Sequence, residues 1–148
     1  LGFNYRMTDI HAALGSSQLA RLDAYLTRRH ALAARYERLL SALPVKLPWQ
    51  HPDSYSGLHL YVIRLRLEAI VPTHRQVFER LRAAGIGVNL HYIPVHTQPY
   101  YRELGFKPGD YPEAERYYAE AMTLPMFPTL TEQQQDEVVE ALREALQS

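Results

Sequence analysis

The sequence predicts an α+β fold in which helices pack on a small sheet, and three observations support it. LHLYVIRLRL at 58–67 alternates in the way a strand does. Thr73 and Thr131 each stand three residues before a glutamine, Gln76 and Gln134, the pattern of a capped helix start. From Thr8 to Leu43 no proline interrupts a chain whose apolar residues recur at helical spacing.

Thr8 suits an N-cap, and Asp9 suits the positive end of the helix that follows. The first turns are rich in small residues, Ala12, Ala13, Gly15, Ser16, Ser17 and Ala20. Such a helix admits another backbone closely, either in its own core or at a subunit contact. Asp23 can kink or restart it. Leu22, Tyr25, Leu32, Tyr36, Leu39 and Leu43 then form one apolar stripe, with Arg21, Arg28, Arg35 and Arg38 mostly off it as a solvated basic face. Pro44 and Pro48 stop the helix, and 44–57 reads as a loop.

The strand at 58–67 places His59, Tyr61, Ile63, Leu65 and Leu67 on one face, His59 and Tyr61 reading as core. The helix from Thr73 turns Val77, Phe78, Leu81 and Ala84 inward and ends at Gly85. IGVNLHY at 86–92 reads as a second strand. Lys107-Pro108-Gly109-Asp110 is a turn, and Pro112 opens a helix reaching about Met122. LPMFP is a short extended piece, and the last helix buries Val138, Val139, Leu142 and Leu146.

Composition excludes several classes of function. Sixteen basic residues balance sixteen acidic ones, so no net field draws the chain to nucleic acid or an anionic membrane. A net charge of zero predicts poor solubility near neutral pH unless a partner covers some surface. With no cysteine there is neither disulfide nor thiolate chemistry, which fits a cytoplasmic location. No apolar run approaches the roughly 18 residues of a membrane span, and the opening residues carry no signal-peptide core. The start at Leu1, inside a motif, is expected of a fragment.

Two segments could carry chemistry. In Asn4-Tyr5-Arg6-Met7-Thr8-Asp9 an amide and a guanidinium run into a helix N-terminus, where free N–H groups favour an anion. The alternative is that Asn4 makes a turn and Arg6 pairs with a surface carboxylate. In His91-Tyr92-Ile93-Pro94-Val95-His96 a strand end meets a stiff turn, a setting for polar groups at a pocket rim. These histidines could bond a polyhydroxylated ligand, or be half-buried and satisfied by backbone. Their spacing across a proline does not make a metal site, and no metal is expected.

LGFNYRMTDIHAALG, continued by SQLARLD, closely resembles the segment beyond the catalytic lysine in the DegT/DnrJ/EryC1/StrS family. The resemblance continues through HLYVIRL, AAGIGVNLHYIPVHTQPYY, LGFKPGDYPEAERYY and LPMFPTLT. His11 departs from it, standing where the family more often has glutamine or asparagine. The family aminates keto sugars on nucleotides with pyridoxal 5'-phosphate. It implies a C-terminal small domain of fold-type I, with a small, mostly antiparallel sheet covered by helices and a long N-terminal helix. On that basis 1–43 is a helical segment linking to an N-terminal cofactor domain outside these residues, and 44–148 is the small domain.

By the same resemblance Asn4 and Arg6 are cofactor-binding: Asn4 reaches across a homodimer to the cofactor phosphate of the other subunit, and Arg6 stands beside it, close to the same site. His91, Tyr92 and His96 line the nucleotide-sugar side. The stretch from HYIPVH to PEAERYY is most similar to members that serve pseudaminic acid biosynthesis, with a UDP-linked 4-keto sugar as acceptor and glutamate as donor. The chemistry needs a lysine joined covalently to the cofactor. The only lysines are Lys46 and Lys107, and neither has the family's context, so the fragment alone is expected to be inactive. A dehydratase relative with histidine at the lysine's place, or a non-catalytic nucleotide-sugar binding module, are the other readings.

Overall fold

The computed structural model describes residues 5–147. Thr8 caps the first helix, α1 (Asp9–Leu19), its Oγ1 accepting from the His11 amide at 3.3 Å. The helix breaks at Ala20–Arg21 and restarts as α2 (Leu22–Leu40), where Asp23 marked a restart. The expected long N-terminal helix is therefore two helices in succession. α1 buries no side chain, whereas α2 buries Leu32, Ala33, Tyr36 and Leu40.

Three antiparallel strands form the sheet in the order β1 (Val45–Lys46), β2 (Tyr61–Leu65), β3 (Ala121–Leu124). Val45 pairs with Leu65, and Tyr61 pairs with Leu124. Alternation along β2 buries Tyr61, Ile63 and Leu65 on the inner face. Against that face pack α2, α3 (His74–Ala83, burying Val77 and Leu81) and α6 (Glu132–Gln147, burying Val138, Val139, Leu142 and Leu146). Thr73 and Gln76 make a complete capping box on α3, and Thr131 and Gln134 make the same reciprocal bonds at the start of α6. Gly85 ends α3 at φ +80°, a conformation that side chains with a Cβ rarely adopt.

Several expectations are corrected here. The strand begins at Tyr61, not Leu58, because Leu58 sits at φ +44° and Arg29 Nη1 donates to the carbonyls of Leu58 and His59 (2.8 and 3.1 Å). His59 is consequently exposed, and Leu67, the other residue assigned to the inner face, opens a 3-10 turn and is also exposed. The loop at 44–57 contains β1, a strand too short to show a period. IGVNLHY is not a strand: only Asn89 bridges to Thr123. Asn89 Oδ1 accepts from the Leu90 amide at 2.8 Å, a local side-chain turn that bends the backbone out of a strand.

The helix from Pro112 (α5, Pro112–Glu120) stops before Ala121, and the Ala121 and Met122 expected at its end belong with Thr123 and Leu124 to β3. All four β3 residues are buried, so no alternation marks them. The basic face of α2 is not simply solvated. Arg28 Nη2 donates to the Leu130 carbonyl at 2.6 Å, and Arg35 Nη2 reaches both Asp136 carboxylate oxygens at 2.8 and 2.9 Å. These bonds fasten α2 to the start of α6. Among the described residues no helix is long and apolar enough to cross a membrane.

Candidate functional site

The outer face of the sheet carries Lys46, Val62, Arg64, Ala121 and Thr123, by the register of the paired strands. α5 packs on this face, with the Tyr117 ring 5.6 Å from the Arg64 guanidinium carbon. Arg64 donates from Nε and Nη2 to Glu120 Oε2 at 2.9 and 2.7 Å, and Lys46 Nζ stands 3.8 Å from the same oxygen. Lys46 is thus an ion-pair partner on an edge strand.

Beside the Thr123 end of this face runs the loop with the predicted rim residues. His91 Nδ1 and Thr123 Oγ1 are 2.7 Å apart, fixing the imidazole to β3. Tyr92 follows with 73% of its surface exposed, its ring edge-on to His91 at 4.5 Å. Pro94 leads into a 3-10 turn, Val95–Thr97, in which His96 is buried. His96 Nε2 lies 2.8 Å from Glu115 Oε1 on α5. The same carboxylate oxygen accepts the Gly109 amide at 2.6 Å. Since an ionised carboxylate only accepts, His96 Nε2 carries the proton.

The Gly109 amide, and after it the His96 ring, hold the Glu115 carboxyl below the usual carboxylate range. A carboxyl whose pKa is depressed in the folded state contributes stability that is complete above its unfolded pKa. That contribution is lost as pH falls through the folded pKa. Melting from about pH 6 to about pH 3 is therefore expected to bring the wild type down toward Glu115→Gln. Parallel melting curves at every pH would refute this.

Between the turn at 95–97, α4 (Pro99–Glu103) and α5 lies a cavity of about 370 Å³, lined by Val95, His96, Tyr101, Phe106, Tyr111 and Ala114. Its surface is aromatic, with the His96 and Tyr111 rings 4.9 Å apart and the Phe106 and Tyr111 rings 6.2 Å apart. The structure therefore collects His91, Tyr92 and His96 on one loop. Arg6 is exposed on a separate element, the approach to α1. Asn4 lies outside the described residues. Glu115, Thr123 and the cavity aromatics were not singled out in the sequence. A first-turn glutamate after Pro112 was the available signal for Glu115, but its partners are 19 and 6 residues away in the chain.

The chain matches the model of the DegT/DnrJ/EryC1/StrS aminotransferase family over residues 1–143. It belongs to that family. The Bacillus subtilis (strain 168) spore coat polysaccharide biosynthesis protein SpsC is 36% identical over 146 residues, which are 97% of this chain and 38% of SpsC. Spr1654 of Streptococcus pneumoniae, a candidate sugar aminotransferase solved in a PLP form, superposes with a TM-score of 0.85 at 30% identity. That match covers 95% of this chain and 36% of Spr1654. Helicobacter pylori PseC, an aminotransferase involved in the biosynthesis of pseudoaminic acid, gives a TM-score of 0.85 at 26% identity over 99% of this chain and 39% of PseC. The DegT/DnrJ/EryC1/StrS chain described here thus spans well under half the length of these relatives.

The residues present fit part of a pyridoxal phosphate site. An exposed Arg6 beside the N-terminus of α1 suits a phosphate, through paired N–H donors and the helix dipole. Lys46 lies in β1, paired with Glu120, and Lys107 lies in the turn before α5. Among the described residues no group of three or more His, Asp or Glu side chains is placed to hold a metal.

Proposed function

We propose that this chain is the C-terminal part of a cytoplasmic, pyridoxal-phosphate-dependent aminotransferase that moves an amino group from glutamate to a 4-keto nucleotide sugar. The match to the family over residues 1–143 carries the reading. The cofactor, when bound, supplies an electron sink for the carbon that gains or loses the amino group. Asn4 and Arg6 hold its phosphate, reaching across a homodimer so that each site draws on both subunits. His91, Tyr92 and His96 form the nucleotide-sugar rim, with exposed Tyr92 offering a ring and a hydroxyl to the ligand.

The lysine that binds the cofactor covalently and moves the proton belongs to the parent enzyme outside these residues, and the fragment by itself does not turn over. What supports that reading is the placement of Lys46, paired with Glu120, and of Lys107 in a turn. The acceptor is a UDP-linked sugar of the pseudaminic acid type. The run HYIPVH to PEAERYY supports this, although PseC at 26% is less similar than SpsC at 36%.

The test is to incubate the full-length enzyme with glutamate and a UDP-linked 4-keto-6-deoxy sugar. The expected result is one 2-oxoglutarate per 4-amino sugar. A deoxygenated sugar without 2-oxoglutarate would overturn the aminotransferase. Turnover confined to a dTDP-linked sugar would overturn the UDP acceptor. In the same enzyme Arg6→Ala weakens cofactor binding by roughly tenfold or more, as expected for a lost charge-assisted phosphate contact. Unchanged cofactor affinity by equilibrium dialysis would remove Arg6 from the site.

A further inference from the structure

The rim loop is held to the rest of the fold at two side-chain points. Among the described residues the backbone hydrogen bonds between His91 and Gln98 are local, Thr97 to Pro94 and Gln98 to Val95, with the Gln98 carbonyl accepting from Arg102 in α4. Among the described residues the loop's side-chain hydrogen bonds to other elements run through His91, bonded to Thr123 on β3, and through His96, bonded to Glu115 on α5. These two pins bracket Tyr92, Ile93 and Pro94. Packing adds little between them, since Tyr92, Ile93 and Val95 are all at least half exposed. Below Val95 and His96 lies the aromatic cavity rather than a close-packed core.

Of the two pins, the one at His96 is the more constrained. His96 is 6% exposed, so its ring can satisfy Nε2 only within the fold. Glu115 meets it with an oxygen that also accepts the Gly109 amide, tying the loop, the turn at 107–110 and α5 to one carboxylate. A charge-assisted bond to a buried donor is worth more than a neutral surface one.

Resting on the rim reading above, we infer that Glu115 is a positioning residue: through His96 it fixes the 91–96 loop and so the place of Tyr92 against the nucleotide sugar. Glu115 itself touches no ligand. A rim held in its bound geometry spares the ligand the cost of ordering it, so loosening the clasp weakens sugar binding first.

The experiment compares Glu115→Ala and Glu115→Gln in the full-length enzyme. Alanine removes both bonds, while the glutamine carbonyl can still accept from His96 and Gly109. Glu115→Ala is expected to raise KM for the nucleotide sugar about tenfold, with kcat and the glutamate KM within about twofold, and Glu115→Gln to recover the sugar KM to within about threefold. An unchanged sugar KM in Glu115→Ala overturns the assignment. So does an equal rise for sugar and glutamate, which a merely structural role predicts.

Hydrogen exchange of the same enzymes supplies the second measurement. Peptides covering 91–98 are expected to exchange faster in Glu115→Ala while β2 and α6 are unchanged. Equal exchange at 91–98 overturns the clasp. Should the wild type turn over no nucleotide sugar, the proposed function fails and exchange alone decides Glu115. A Glu115→Ala protein that does not fold leaves the decision to Glu115→Gln, whose sugar KM beyond about tenfold would overturn the role of the acceptor oxygen.

Discussion

Replacing Tyr36 with alanine destabilises the chain by about 3–5 kcal/mol, the range for removing a large buried aromatic. Tyr36 is fully buried on α2, its ring lies 4.9 Å from that of Tyr61 on β2, and its hydroxyl donates to the Pro125 carbonyl at 2.9 Å. It thus joins three parts of the chain: the second half of α2, the central strand, and the segment leaving β3. Burial keeps the phenol protonated well above its usual range, so the hydroxyl acts as a donor at every practical pH. Tyr36→Phe keeps the ring and loses the hydroxyl's bonds, to the Pro125 carbonyl and to the Gln135 side chain, a cost of about 1–2 kcal/mol. Urea unfolding of the two variants separates packing from hydrogen bonding. Equal losses would mean that the ring contributes nothing, and would refute the placement of α2 in the core.

Leu142→Ala costs about 2–5 kcal/mol, whereas Leu14→Ala changes stability by no more than about 0.5 kcal/mol in this chain. Leu142 on α6 is fully buried, facing the sheet with Val138, Val139 and Leu146. Leu14 on α1 is 57% exposed, and α1 buries nothing. The same chemical change therefore has consequences of very different size on two helices of one chain. In the full-length parent, where α1 is proposed to lead into the cofactor domain, Leu14→Ala is expected to become costly. Similar losses at the two positions in the isolated chain would show that α1 already has a packing partner here.

How much of this was legible in the residues depends on whether a signal was local. Thr8, the Thr73–Gln76 and Thr131–Gln134 boxes, and Gly85 all act within one helical turn, and each was found where expected. So was the alternation at Tyr61, Ile63 and Leu65, because one covered face imposes a period of two. β3 was hidden because both of its faces are covered and its residues suit a helix end as well as a strand. The one local hint was Pro125, which disfavours the α conformation at Leu124. The rim loop was found as a segment, but not the groups that hold it.

The sequence by itself determined the family, the α+β class, the helix caps, the apolar face of α6 and that of α3 apart from Ala84, which is exposed, and the loop carrying His91, Tyr92 and His96. Only the tertiary structure decided that Arg35 and Arg28 clamp α2 onto α6, that β3 rather than 86–92 completes the sheet, and that His96 is buried against Glu115. The physical reason is separation along the chain. Arg35 and Asp136 are 101 residues apart, and Tyr36 and Pro125 are 89 apart, so neither pair leaves a mark in any local window. Caps and periods are set by neighbours, which a sequence displays directly. Ion pairs, strand partners and buried hydrogen bonds are set by whatever the fold brings alongside.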